Sequence, residues 1–96
     1  MHHTIKNVFG NQKQSMREIS NLFSLEKNIF KNVDVLGIFV DNHDMPRFLY
    51  HSPAQIQSFK SALIFSLTAS GIPFFYYGSE HLFKGGDDPN NRESLY

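Results

Sequence analysis

The chain has 96 residues, 41% of them hydrophobic and 19% charged, with a formal net charge of zero. That is an ordinary globular composition, and the balanced charge gives no electrostatic reason to expect nucleic acid or an anionic membrane as partner. The absence of cysteine excludes disulfides, thiol chemistry and cysteine-ligated zinc, while ten Phe and four Tyr leave much apolar surface to hide.

That surplus fits part of a larger core at least as well as a complete small domain. Met1-His2-His3-Thr4 has no charged segment followed by an apolar run, so no signal peptide is visible. The most apolar stretch, Ala62 to Tyr77, is too short and too interrupted for a membrane span.

The first clear element is expected at Ser15. Ser15-Met16-Arg17-Glu18 reads as a capping box, and Met16, Ile19, Leu22, Phe23, Ile29 and Phe30 then recur at helical spacing. A helix over about Met16 to Phe30 follows. Val33 to Val40 reads as a strand; from Val35 onward every residue except Gly37 is large and apolar, which suits burial on both faces in a parallel sheet. It ends in Asp41-Asn42-His43-Asp44, a polar cluster that no core accepts unpaired.

Ser52-Pro53-Ala54-Gln55 reads as the start of a second helix, with Ile56, Phe59, Leu63 and Leu67 as its buried stripe and Gly71 and Pro73 as its stop. Pro73 to Tyr77 reads as a second strand ending at Gly78, and Lys84 to Arg92 as loop. The order helix, strand, helix, strand implies a right-handed parallel crossover. Asn42-His43-Asp44 and Gly78-Ser79-Glu80 then emerge at the carboxyl ends of parallel strands, where α/β folds place their chemistry.

A His beside a carboxylate at a strand end suits sugar hydroxyls; on the tripeptide alone, a polar turn satisfying local amides is the favoured reading. The wider context is more specific. Phe39-Val40-Asp41-Asn42-His43-Asp44-Met45-Pro46-Arg47-Phe48 resembles the segment that closes the seventh barrel strand in the α-amylase family, glycoside hydrolase family 13. Gly71-Ile72-Pro73-Phe74-Phe75-Tyr76-Tyr77-Gly78-Ser79-Glu80 resembles that family's eighth strand. Gly85-Gly86-Asp87-Asp88-Pro89-Asn90-Asn91-Arg92-Glu93 is similar to the following loop in fungal-type, eukaryotic α-amylases. Met45, Ser79 and Tyr96 depart from the common pattern and leave specificity open.

The resemblance implies an α/β fold, a fragment of a (β/α)8 TIM barrel covering about helix 6, strand 7, helix 7, strand 8 and the next loop. Residues 1–96 are then one partial catalytic domain, with the remainder of the barrel as partner. It implies that Asp44 is the carboxylate that stabilises the transition state of a retaining glycosidase, and that His43 binds hydroxyls of the same sugar. Asn42 supports their turn, and Asp88 and Arg92 bind glucose units further along the chain. An Asp and an Arg four apart also read as a surface ion pair.

The implied substrate is an α-1,4-glucan: starch, glycogen or maltooligosaccharides. The nucleophile and the general acid lie on earlier strands of the family and are absent here, so the chain alone is expected to be inactive and poorly soluble, with open sheet edges. Glu80 is expected to hold the loop after the last strand. Calcium belongs to the parent enzyme. In this chain Asp87, Asp88, Asn90 and Asn91 lack EF-hand spacing and the histidines form no i, i+4 pair, so no metal site is expected. The resemblance suggests an extracellular or digestive-vacuole location. The alternatives are a non-catalytic relative or gene remnant with at most glucan binding, and a self-contained α/β interaction module, which leaves the three motifs unexplained.

Overall fold

The computed structural model describes residues 1–96. A short helix, α1 (His2–Ile5), runs straight into a wide π turn over Lys6–Gly10. The first element therefore precedes Ser15, and it belongs to the core: Ile5 is fully buried and Val8 nearly so. Ile5, Val8 and Phe9 fall at i, i+3 and i+4, a short helical signal that tertiary packing completes.

Helix α2 (Arg17–Ile29) follows. Ser15 Oγ accepts the Arg17 amide at 3.1 Å, but the Glu18 arm of the box is not formed; its amide donates to the Ser15 carbonyl at 3.0 Å. Ile19 faces inward, whereas Met16, Ile29 and Phe30 at the two ends are exposed. Asn32 Oδ1 then accepts the Asp34 amide at 3.0 Å and draws Val33–Val35 into a 3₁₀ turn. The expected strand is thereby shortened to β1 (Gly37–Ile38). Its partner, expected over Pro73–Tyr77, is instead β2 (Ile72–Pro73), which begins one residue earlier and shares only Pro73 with that range.

The two strands are parallel, with Gly37 opposite Ile72 and Ile38 opposite Pro73. The Ile72 and Phe74 amides donate to the Leu36 and Ile38 carbonyls at 2.8 and 2.7 Å. Pro73, which has no N–H to give, lies between these two donors, where its amide position faces away from β1. Burial on both faces is not observed. Ile38 and Val40 are buried beneath the helices, but Val35, Phe74 and Phe75 are exposed. A two-stranded sheet has nothing of this chain to cover its second face, and there Gly37, Phe39, Phe74, Phe75 and Tyr76 line an open cleft of about 320 Å³.

Helix α3 (Ile56–Thr68) connects the strands. Ser52–Gln55 is not its capping box but a preceding turn, closed by the Gln55 amide on the Ser52 carbonyl at 3.0 Å. The buried stripe is Phe59, Ala62 and Ser66, while Leu67 is exposed. The face is rotated from the expected one because α3 packs on the π turn and on Phe48, whose ring centroid lies 5.3 Å from that of Phe59. Ser66 satisfies its hydroxyl on the Ala62 carbonyl at 3.0 Å. Gly71 returns the chain to the sheet at φ +129°, and a Cβ there would sit 2.7 Å from the Leu36 carbonyl oxygen, so only glycine fits. No helix is long and apolar enough to cross a membrane.

Candidate carbohydrate-binding site

The chain leaves β1 through Val40 into a buried polar layer. Asp41 is buried, and its Oδ1 accepts the Phe48 amide at 2.6 Å with Lys6 Nζ 3.9 Å away. Burial raises the Asp41 pKa, opposed by the Lys6 charge; burial likewise lowers that of Lys6, which also donates to the Pro46 carbonyl. His2 Nε2 bonds the Val40 carbonyl at 2.7 Å. Burial, then the Lys6 charge, push the His2 pKa down to about 4, so the neutral ring is the tautomer that donates from Nε2.

Above this layer the backbone turns outward. Asn42 Oδ1 accepts the Asp44 amide at 3.2 Å, closing an Asx turn that projects the next two side chains into solvent. His43 and Asp44 are 64% and 69% exposed, with Nε2 and Oδ1 3.2 Å apart. A ring N–H donor thus stands beside a carboxylate with free lone pairs, a pairing able to take two hydroxyls of one ligand.

Asp88 and Arg92 form an exposed ion pair at 3.0 Å. Between them in sequence, Asn91 is fully buried and donates both Nδ2 hydrogens, to the His43 carbonyl at 2.7 Å and the Met45 carbonyl at 3.0 Å. The structure thus gathers Asn42, His43 and Asp44 in one turn and seats the Asp88–Arg92 loop against it. No cluster of three or more His, Asp or Glu side chains able to hold a metal ion is present.

The anchoring residues escaped the sequence reading. Glu80 does not hold the loop; it is exposed and lies 3.6 Å from His81. That work falls to Glu93, whose Oε1 accepts the Lys84 and Gly85 amides at 2.8 and 2.5 Å and whose Oε2 accepts Arg47 Nε at 3.1 Å. Arg47 is 1% exposed, donates Nη1 to the Tyr77 carbonyl at 2.7 Å and stacks over the Tyr76 ring at 4.1 Å. The Arg at the end of the β1 motif and the Glu after the loop were both visible in the sequence; their pairing across 46 residues was not.

A family model described as Alpha amylase, catalytic domain, matches residues 1–94. The chain belongs to the α-amylase family. It is 41% identical over 102 aligned residues to the β/α-amylase of Paenibacillus polymyxa, covering 99% of this chain and 8% of that protein. It is 35% identical to α-amylase 2 of Schwanniomyces occidentalis, covering all of this chain and 19% of that protein. Among solved structures, an Anoxybacillus α-amylase superposes with a TM-score of 0.91 at 30% identity, over 99% of this chain and 22% of that one. A cyclomaltodextrin glucanotransferase with a three-domain ABC distribution gives 0.88 at 31%, over 99% and 20%.

These neighbours are (β/α)8-barrel proteins, and the α-amylase-family chain corresponds to a part of that barrel, between about a twelfth and a fifth of each protein's length. A fungal or eukaryotic type finds no support, because bacterial relatives match as well as the yeast one.

Proposed function

We propose that the whole protein carrying this chain is a retaining glycoside hydrolase that cleaves α-1,4-glucosidic bonds in starch, glycogen or maltooligosaccharides. The observation that carries the reading is the exposed His43–Asp44 pair on an Asx turn at the carboxyl end of a parallel strand. Asp44 neither attacks nor protonates. It hydrogen-bonds the hydroxyls of the sugar being cleaved and favours the distorted ring, a contact that strengthens as the oxocarbenium-like transition state forms and supplies several kcal/mol in glycosidases generally. His43 binds the same sugar, Asn42 keeps the turn closed, and Asp88 and Arg92 bind glucose units beyond it.

The nucleophile and the general acid, about 5–5.5 Å apart in a retaining enzyme, come from residues outside these 96, so the chain alone hydrolyses nothing. Calcium in the whole protein is held by residues elsewhere, and an extracellular or digestive-vacuole location suits a polymeric glucan.

The test is to follow the anomeric configuration of the first product released by the full-length protein from a maltooligosaccharide, by proton NMR. An α-configured product supports the reading; a β-configured product, or binding without cleavage, overturns it. A second reading, transfer of the glucan to a sugar hydroxyl instead of water, is favoured by the fit to a structure named a cyclomaltodextrin glucanotransferase. Cyclic products would select it.

A further inference from the structure

The Asp88–Arg92 loop has no strand or helix of its own, yet it is fastened at both ends to the segment that carries the His43–Asp44 turn. At one end Arg47 donates its backbone amide to the Gly85 carbonyl at 2.9 Å. The same residue's guanidinium reaches Glu93 at the other end, and Glu93 returns to the Lys84 and Gly85 amides. The loop is therefore cinched shut: a Cβ on Gly85 would strike the Asn90 carbonyl. Tyr77 Oη donates to the Glu93 backbone carbonyl at 2.8 Å and fixes the closure to the segment that follows β2. In the middle, buried Asn91 holds the His43 and Met45 carbonyls.

Exposed ion pairs such as Asp88–Arg92 do not hold a loop in place. The part-buried Arg47–Glu93 pair does, since a charge-assisted bond from a fully buried guanidinium has one well-defined geometry. Mutation of Glu93 would strand the fully buried Arg47 charge, and mutation of Arg47 would leave Glu93 partly buried without its partner, so the pair has little freedom to adopt another arrangement.

Resting on the function proposed above, we propose that Arg47 and Glu93 are positioning residues that keep the Asp88–Arg92 loop in register with the His43–Asp44 turn through Asn91, and so set how many glucose units beyond the cleaved sugar are engaged. A structural role alone would lower activity on every substrate alike. A positioning role loosens only the grip on the units that the loop touches.

The test uses the full-length protein and maltooligosaccharides of increasing length. In Arg47→Met and Glu93→Gln, KM for long substrates should rise about tenfold, with kcat and the KM for the shortest cleavable substrate little changed. Arg47→Lys, which keeps the charge but reaches only one of the two acceptors, should recover part of that loss. Asn91→Ala, which cuts the tie but spares the ion pair, should reproduce the length-dependent loss even if Arg47→Met fails to fold. Equal losses at all lengths, or none, would overturn the proposal. If the wild type cleaves no α-glucan the functional reading fails by itself, and hydrogen exchange then decides the latch. The Asp44 amide must exchange faster in Glu93→Gln than in wild type, and an unchanged rate rejects the coupling.

Discussion

Two polar regions lie within one turn of chain and are treated in opposite ways. Asn42, His43 and Asp44 are closed into a turn by one local side-chain hydrogen bond and steadied from behind by Asn91 on the His43 carbonyl, and the His43 and Asp44 side chains stand in water. Asp41 and Arg47, on either side, are buried and reach across the fold to Lys6, Glu93 and Tyr77. A buried charge must be paired to be tolerated, so its partners show what it does for the fold. An exposed carboxylate beside an imidazole stabilises little and is free to bind, as the proposed function requires. The contrast separates residues that support the site from residues that present it.

Substitutions at the two layers should therefore fail differently. Asp44→Asn in the full-length protein should lower glucan hydrolysis by about a thousandfold, the kinetic equivalent of several kcal/mol of transition-state binding, while leaving Tm unchanged. A loss of Tm comparable to the loss of activity would erase the distinction. Arg47→Met should show the reverse emphasis: about 3 kcal/mol of stability lost in denaturant unfolding, because Glu93 is left partly buried without its partner. Stability equal to wild type would mean the pair is not buried in the whole protein.

His2 belongs to the buried layer and gives it a pH signature. Its folded pKa, about 4, lies below the ordinary 6.5, so the folded state binds the proton more weakly than the unfolded one. Its contribution is intact above pH 6.5 and is lost as pH falls toward 4. His2→Gln, which keeps a donor for the Val40 carbonyl, should flatten the fall of Tm across that window. An unchanged profile would remove His2 from the account. The smallest effect belongs to the exposed layer again: Asp88→Asn should change stability by no more than about 0.5 kcal/mol, yet raise KM for long glucans several-fold. A change in stability without one in KM would make the pair a surface ion pair and nothing more.

The residues themselves show how far the sequence could be read. The outward-facing cluster was legible because it interrupts an apolar run, and the parallel strand pair because a second apolar run, Pro73 to Tyr77, follows a helix later, although the pairing itself falls at Ile72 and Pro73. Element lengths were not legible. Asn32 competes for the Asp34 amide and cuts β1 short, and α3 turns Ala62 and Ser66 inward instead of Leu67 because of what it packs against. Glu80 and Glu93 are both acids near the same loop; which of them meets Arg47 depends on a contact spanning 46 residues that no local pattern encodes. The buried layer escaped for that reason, whereas the presenting turn is closed locally by Asn42 and only its tie to Asn91 lay beyond local pattern.

The central claim is that the turn at the end of β1 presents sugar-binding groups. The most direct measurement is a crystal structure of the full-length protein with an α-1,4-linked oligosaccharide bound. The account predicts Asp44 and His43 in hydrogen-bond contact with hydroxyls of one glucose unit, and Arg92 or Asp88 on a unit further along. A glucan bound elsewhere, with the His43–Asp44 turn still in solvent, would contradict it.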